Sequence, residues 1–146
     1  MTARRLTFPL VLGLLTFMGG PVHADGFVII RNTKDTSASI RANELRAMFT
    51  GRTKQWRAGA LVQVVLPSEG CAATRWLAES IFGVPGKVLL TKIRQEVFKG
   101  EMKKPLSAAS DAELIEAVKN HPGSIATVAA EAAKSLPDGV AVLAIN

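Results

Sequence analysis

Residues 68–75 concentrate hydrogen-bond donors in one short stretch: the Ser68 hydroxyl, the backbone N–H groups of Gly70 and Cys71, the Thr74 hydroxyl and the Arg75 guanidinium. Donors of this kind suit an anion. If the stretch lies at the start of a helix, its N–H groups point outward unpaired and the helix dipole favours negative charge. The chemistry expected is the binding of a small oxyanion, with Ser68, Gly70, Cys71, Thr74 and Arg75 as ligand-binding residues. A plainer role competes with it. The same side chains can simply cap a helix, with Arg75 paired to Glu79 four residues on.

The flanking sequence supplies the elements that would position these groups. Residues 61–66 (LVQVVL) predict a buried strand, residues 67–71 a polar turn, and residues 72–82 an amphipathic helix ended by Gly83. Trp76, Leu77, Ile81 and Phe82 form its inward face. Residues 27–31 (FVIIR) predict a first strand whose carboxyl end would bring Arg31, Asn32 and Thr33 to the ligand face of an α/β sheet. A helix is expected from an Asn43 cap to about Thr50, stopped by Gly51. Trp56, in a basic loop, is expected to close the core rather than to stack on nucleic acid.

Further along, residues 86–99 predict a helix after Pro85, with Val88, Leu89, Ile93 and Val97 inward and Lys92, Arg94 and Lys99 in water. Residues 101–106 read as a charged connector. Ser110-Asp111-Ala112-Glu113 matches a capping box, so a helix should begin at Ser110 and run to about Lys119. Residues 124–128 and 140–145 predict strands, and the Ala-rich residues 129–136 could extend a helix. Strands alternating with helices predict an α/β fold, a mixed sheet flanked by helices.

The N-terminus has a separate purpose. Arg4 and Arg5, the apolar run 6–18 and Val22-His23-Ala24 have the pattern of an export signal cleaved after Ala24. The apolar run is short for a membrane span and is broken by Gly19, Gly20 and Pro21. The expected division is a signal over residues 1–24 and one domain over residues 25–146, periplasmic or secreted and not membrane-spanning after cleavage. Two of the eighteen basic residues would leave with the signal and all twelve acidic residues would stay, so the net charge falls from +6 to +4. That excess is spread along the chain, and Lys103-Lys104 is its one basic doublet. No nucleic-acid partner is expected.

Cys71 is the single cysteine and His121 the single histidine after residue 24. An intramolecular disulfide is excluded, and no metal-ligand or cofactor signature is present. A Cys71 nucleophile would need a positioned base and an orienting acid, and neither stands in the same stretch. The expectation is a non-enzyme with no cofactor.

Several segments in order carry a resemblance. Residues 43–52 (NELRAMFTGR) look like a helix ending in Ile-Phe-x-Gly-Lys, with Trp56 following at the expected separation. The strand at 61–66 leads into the position of an Arg-Ser-Asp-Gly-Ser-Gly-Thr segment. Val97-Phe98-Lys99-Gly100, Ser110-Asp111-Ala112-Glu113 and Pro122-Gly123-Ser124-Ile125 resemble Phe-x-Gly, Ser-Asp-x-Glu and Pro-Gly-Ala-Ile-Gly-Tyr segments. The chain is thus similar to short, single-domain exported proteins related to the phosphate-binding proteins of ABC transporters. That resemblance implies a single-lobe periplasmic-binding-protein-like domain, a phosphate-like oxyanion as ligand, and an ABC transporter or another envelope protein as partner.

The central turn matches the family in part. Ser68 and Gly70 coincide with it and Glu69 keeps the acidic position. Cys71 stands where a phosphate-contacting Ser would be, Ala72 and Ala73 replace Gly and Thr, and Pro67 fills the Arg position. Thr74 and Arg75 are the residues placed to compensate. The alternative function is a non-catalytic envelope protein-interaction module that has lost ligand binding.

Overall fold

The computed structural model describes residues 26–68 and 71–146. The expected export signal, Glu69 and Gly70 lie outside the described residues. A mixed five-stranded sheet runs in the order β4-β3-β5-β1-β6. Its strands are β1 (Phe27–Asn32), β3 (Gln63–Pro67), β4 (Leu106–Ala108), β5 (Ser124–Ala129) and β6 (Val140–Val142). β3 is parallel to both β4 and β5, whereas β1 is antiparallel to β5 and β6. A two-stranded parallel sheet joins β2 (Ser39–Ile40) to β7 (Ala144–Ile145).

Both faces of the large sheet are covered, which is why its central strands are nearly continuously apolar. Successive side chains alternate between the faces. Ile29, Val64 and Ile125 pack with Leu45, Phe49, Trp56, Leu77, Leu89 and Ile93 on one side. Those residues come from α1 (Ala42–Phe49), α2 (Ala72–Leu77), α3 (Gly86–Phe98) and the loop between α1 and β3. Val28, Ile30, Val65, Ala126 and Val128 face the other way, against Leu114 and Val118 of α4 (Asp111–Asn120).

Several boundaries differ from the sequence expectation. The central strand begins at Gln63. Leu61 is 71 % exposed and makes only an isolated bridge to Gln55. α1 starts at Ala42 with Arg41 as its N-cap, and Asn43 sits inside its first turn. The helix after the central turn is α-helical only to Leu77, then widens into a π-turn over Ala78–Phe82, which Gly83 ends in the left-handed conformation. Val88 faces solvent at 51 % exposure instead of entering the core. The expected charged connector runs into β4, which β3 holds in register from Val65 to Pro67.

The Ala-rich segment contains the end of β5 and a short 3-10 turn, Ala132–Ser135, rather than a longer helix. The last strand is broken at Leu143, which turns its side chain into the core while its N–H donates to Ile29 O at 2.8 Å. The chain thereby passes from the large sheet to the small one.

The largest correction concerns β1. Because it runs antiparallel to β5, its carboxyl end lies at the opposite edge from the carboxyl ends of β3 and β4. Arg31, Asn32 and Thr33 are therefore remote from the central turn. Asn32 has a structural role instead. It is buried, and its side-chain amide donates to Val118 O and Lys119 O at 2.8 and 3.1 Å, satisfying carbonyls at the end of α4. Ser110 caps the start of the same helix, accepting from Glu113 N at 3.2 Å, while Glu113 Oε2 accepts from Ala109 N at 2.8 Å.

Candidate functional site

The site expected from residues 68–75 lies where β3 ends and α2 begins. β3 is held on both sides, by β4 and β5, so the position at which it delivers Pro67 and Ser68 is firmly set. Trp76 anchors α2 on that edge. Its ring lies 6.0 Å from the ring of Phe27, at the start of β1. Gly86, at the start of α3, faces the backbone of Arg75, and a Cβ there would sit at an ordinary van der Waals distance of 3.7 Å from Arg75 Cα.

Ser68 is exposed, and its hydroxyl donates to Ala108 O over a long 3.4 Å. Gly70 lies outside the described residues. Cys71 is the half-buried N-cap of α2, in extended conformation and without a side-chain capping bond. Its N–H donates to Ser68 O at 3.4 Å, so part of the turn's donor capacity is used internally. Its sulfur lies 3.7 Å from Thr74 Oγ1. Thr74 is 3 % exposed, whereas Arg75 is exposed.

Cys71, Thr74 and Arg75 share one cavity of about 770 Å³, and α3 forms its far wall with Lys87, Thr91 and Arg94. Among the described residues, three cationic side chains thus converge on it, against one carboxylate, Glu79. The expected Arg75–Glu79 ion pair is not formed among the described residues. Glu79 lies in the π-turn over Ala78–Phe82 and lines the same cavity as Arg75. Ser68 faces a second cavity, of about 430 Å³, and Leu90 and Arg94 line both.

Sequence reasoning places Arg94 only in solvent and assigns nothing to Lys87. A local signal for both does exist. Lys87, Thr91 and Arg94 follow one another by four and three residues, the spacing of a single helical face. Trp56 behaves as expected: it is buried, and its indole N–H donates to Gly123 O at 2.9 Å. His121 is exposed in a turn, its Nδ1 2.7 Å from Ala117 O. Among the described residues no helix is long and apolar enough to cross a membrane.

A mixed sheet with helices on both faces has the architecture of a periplasmic-binding-protein-like lobe. Residues 16–144 match the PBP superfamily domain, and the chain belongs to that superfamily. No curated protein sequence matches it.

Among solved structures, the chain is similar to PstS from Borrelia burgdorferi, with a TM-score of 0.62 and 19 % identity over 84 % of this chain and 47 % of that one. It is also similar to an ABC-type phosphate transport receptor from Vibrio cholerae, with a TM-score of 0.53 and 14 % identity over 83 % and 46 %. A protein with bound phosphate from Clostridium perfringens gives a TM-score of 0.58 and 15 % identity over 83 % and 45 %. At these identities the likeness is one of fold. The chain spans about half the length of these structures.

Proposed function

We propose that this chain is a non-enzymatic, exported solute-binding-like protein that holds a small oxyanion such as phosphate at the turn between β3 and α2. The observation that carries the reading is the convergence of Arg75, Lys87 and Arg94 on the cavity that also contains Cys71 and Thr74. Guanidinium and ammonium groups supply the charge-assisted hydrogen bonds that replace an oxyanion's hydration. The solved relatives named for phosphate transport, and the one with bound phosphate, support the ligand class.

The expected affinity is modest. Cys71 N–H and the Ser68 hydroxyl already have partners within the protein, and the chain spans only about half of a full-length relative. A dissociation constant in the millimolar range corresponds to about −4 kcal/mol, a gain that two or three charge-assisted contacts can supply. Isothermal titration with phosphate and with sulfate tests this. Heat that saturates at millimolar ligand supports the reading, and none from folded protein refutes it.

The same reading makes residues 1–24 a cleaved signal, residues 25–146 the mature domain in the periplasm or outside the cell, and an ABC transporter or envelope protein the partner. Intact-mass measurement of the exported protein should give an N-terminus at Asp25.

A further inference from the structure

The 430 Å³ cavity beyond Arg94 has a different chemistry from the oxyanion turn. Leu90, Ile93, Val97 and Phe98 of α3 form one wall, Pro105 stands on the approach to β4, and Leu66 lies beneath. Phe98 is 93 % exposed. A lone exposed apolar residue is ordinary, but Phe98 stands on the lip of a concave apolar surface. It also lines an adjoining depression with Thr91, Gln95 and Lys99. A phenyl ring left in water forgoes one of the largest burial gains any side chain offers.

The charges around this surface have one sign. Arg94, Lys99 and Lys104 line the two depressions, and no carboxylate among the described residues does. Glu96 engages Lys99 at 3.7 Å, while Lys104 makes no ion pair among the described residues. A concave, mostly apolar space of this volume with a few polar groups at its rim has the dimensions of a small-molecule site. A stable protein interface needs roughly 800 Å² per partner, more than one short groove on a single helix presents.

We propose that this groove binds a small anionic amphiphile of the fatty-acid class, with the alkyl chain along Leu90, Val97 and Phe98 and the carboxylate at Lys104. The site adjoins the oxyanion turn: Ser68 lines it, and Leu90 and Arg94 border both cavities.

The test is isothermal titration of the full chain with dodecanoate below its micelle concentration, beside dodecyltrimethylammonium, which has the same tail and the opposite charge. Dodecanoate should saturate one site and the cationic amphiphile should bind at least about tenfold more weakly. Phe98→Ser should weaken dodecanoate binding about ten- to a hundredfold, the equivalent of losing a buried aromatic contact. Lys104→Glu should weaken dodecanoate and strengthen the cation. Both side chains are exposed, so an unchanged melting temperature confirms that the variants fold, and phosphate titration should be unaffected by Phe98→Ser. Any of three results would overturn the proposal: no dodecanoate binding, equal binding of the two amphiphiles, or an unchanged Phe98→Ser variant. Capture of an acidic protein partner on this face, with no dodecanoate binding, would overturn it in favour of a docking surface.

Discussion

The indole N–H of Trp56 donates to the backbone carbonyl of Gly123 at 2.9 Å, tying the loop before β3 to the turn before β5. The same carbonyl accepts from Gln63 N at 3.2 Å, so the first residue of β3 and the loop preceding it are both positioned by one glycine. Gly123 has φ +80°, and a Cβ there would lie 1.9 Å from Leu61 O. Glycine is required twice over, by backbone conformation and by space.

Gly123→Ala should therefore be among the most damaging single substitutions, costing at least about 3 kcal/mol, because the clash is with backbone and cannot be relieved by a rotamer change. Urea unfolding measures it. Trp56→Phe keeps most of the apolar burial and removes one donor, so it should cost only about 1–2 kcal/mol.

Asn32 and Ser124 together satisfy the carboxyl end of α4. Asn32 Nδ2 and Ser124 Oγ both donate to Val118 O, at 2.8 and 3.0 Å. Asn32→Ala and Ser124→Ala should each cost about 1–3 kcal/mol. Because they share an acceptor, the double variant should lose less than the sum, a coupling that a double-mutant cycle reads directly.

Ser110→Ala removes the side-chain cap of α4 and should lower stability by about 1 kcal/mol, with a matching fall in melting temperature. Ser110→Asp, which keeps an acceptor at the same place, should restore most of the loss.

Arg75 is exposed, so Arg75→Ala should leave the melting temperature unchanged and weaken phosphate binding at least about tenfold, the value of one charge-assisted hydrogen bond. Cys71→Ser replaces a weak donor with a hydroxyl and should hold or improve phosphate affinity. Calorimetric titration of the three proteins side by side checks both outcomes.

Much of the fold was legible in the sequence where the signal is local. Ser110 announces its helix through Glu113, and Phe27 to Ile30 read as a strand because each face of the sheet is covered. What was not legible depends on partners far along the chain. A strand's composition carries no direction, so the antiparallel course of β1, and with it the remote place of Arg31 to Thr33, could not be read from FVIIR. Asn32 reaches Val118, 86 residues away. β4 has three residues and exists because β3 offers it an edge.

The same division holds at the candidate site. The run from Ser68 to Arg75 is contiguous, and its placement at a strand–helix junction followed from local pattern. Arg94 and Lys87 join it only because α3 packs back across α2. Helical periodicity tells which residues share a face but not which neighbour that face meets. The π-turn over Ala78–Phe82 likewise has no signature in the apolar spacing.

The pairing of β1 has a kinetic consequence. Both strands that flank it, β5 and β6, come from the final quarter of the chain, with Phe27 opposite Ala129 and Asn32 opposite Val140. A polypeptide emerging from its amino end therefore presents an apolar first strand that must wait roughly a hundred residues for either partner. Such long-range closure slows folding and leaves an unpaired edge exposed to other chains in the interval. Deleting residues 140–146 would take away one of those partners and the Leu143 N–H bond to Ile29 O, so a shortened chain should collapse late and aggregate early.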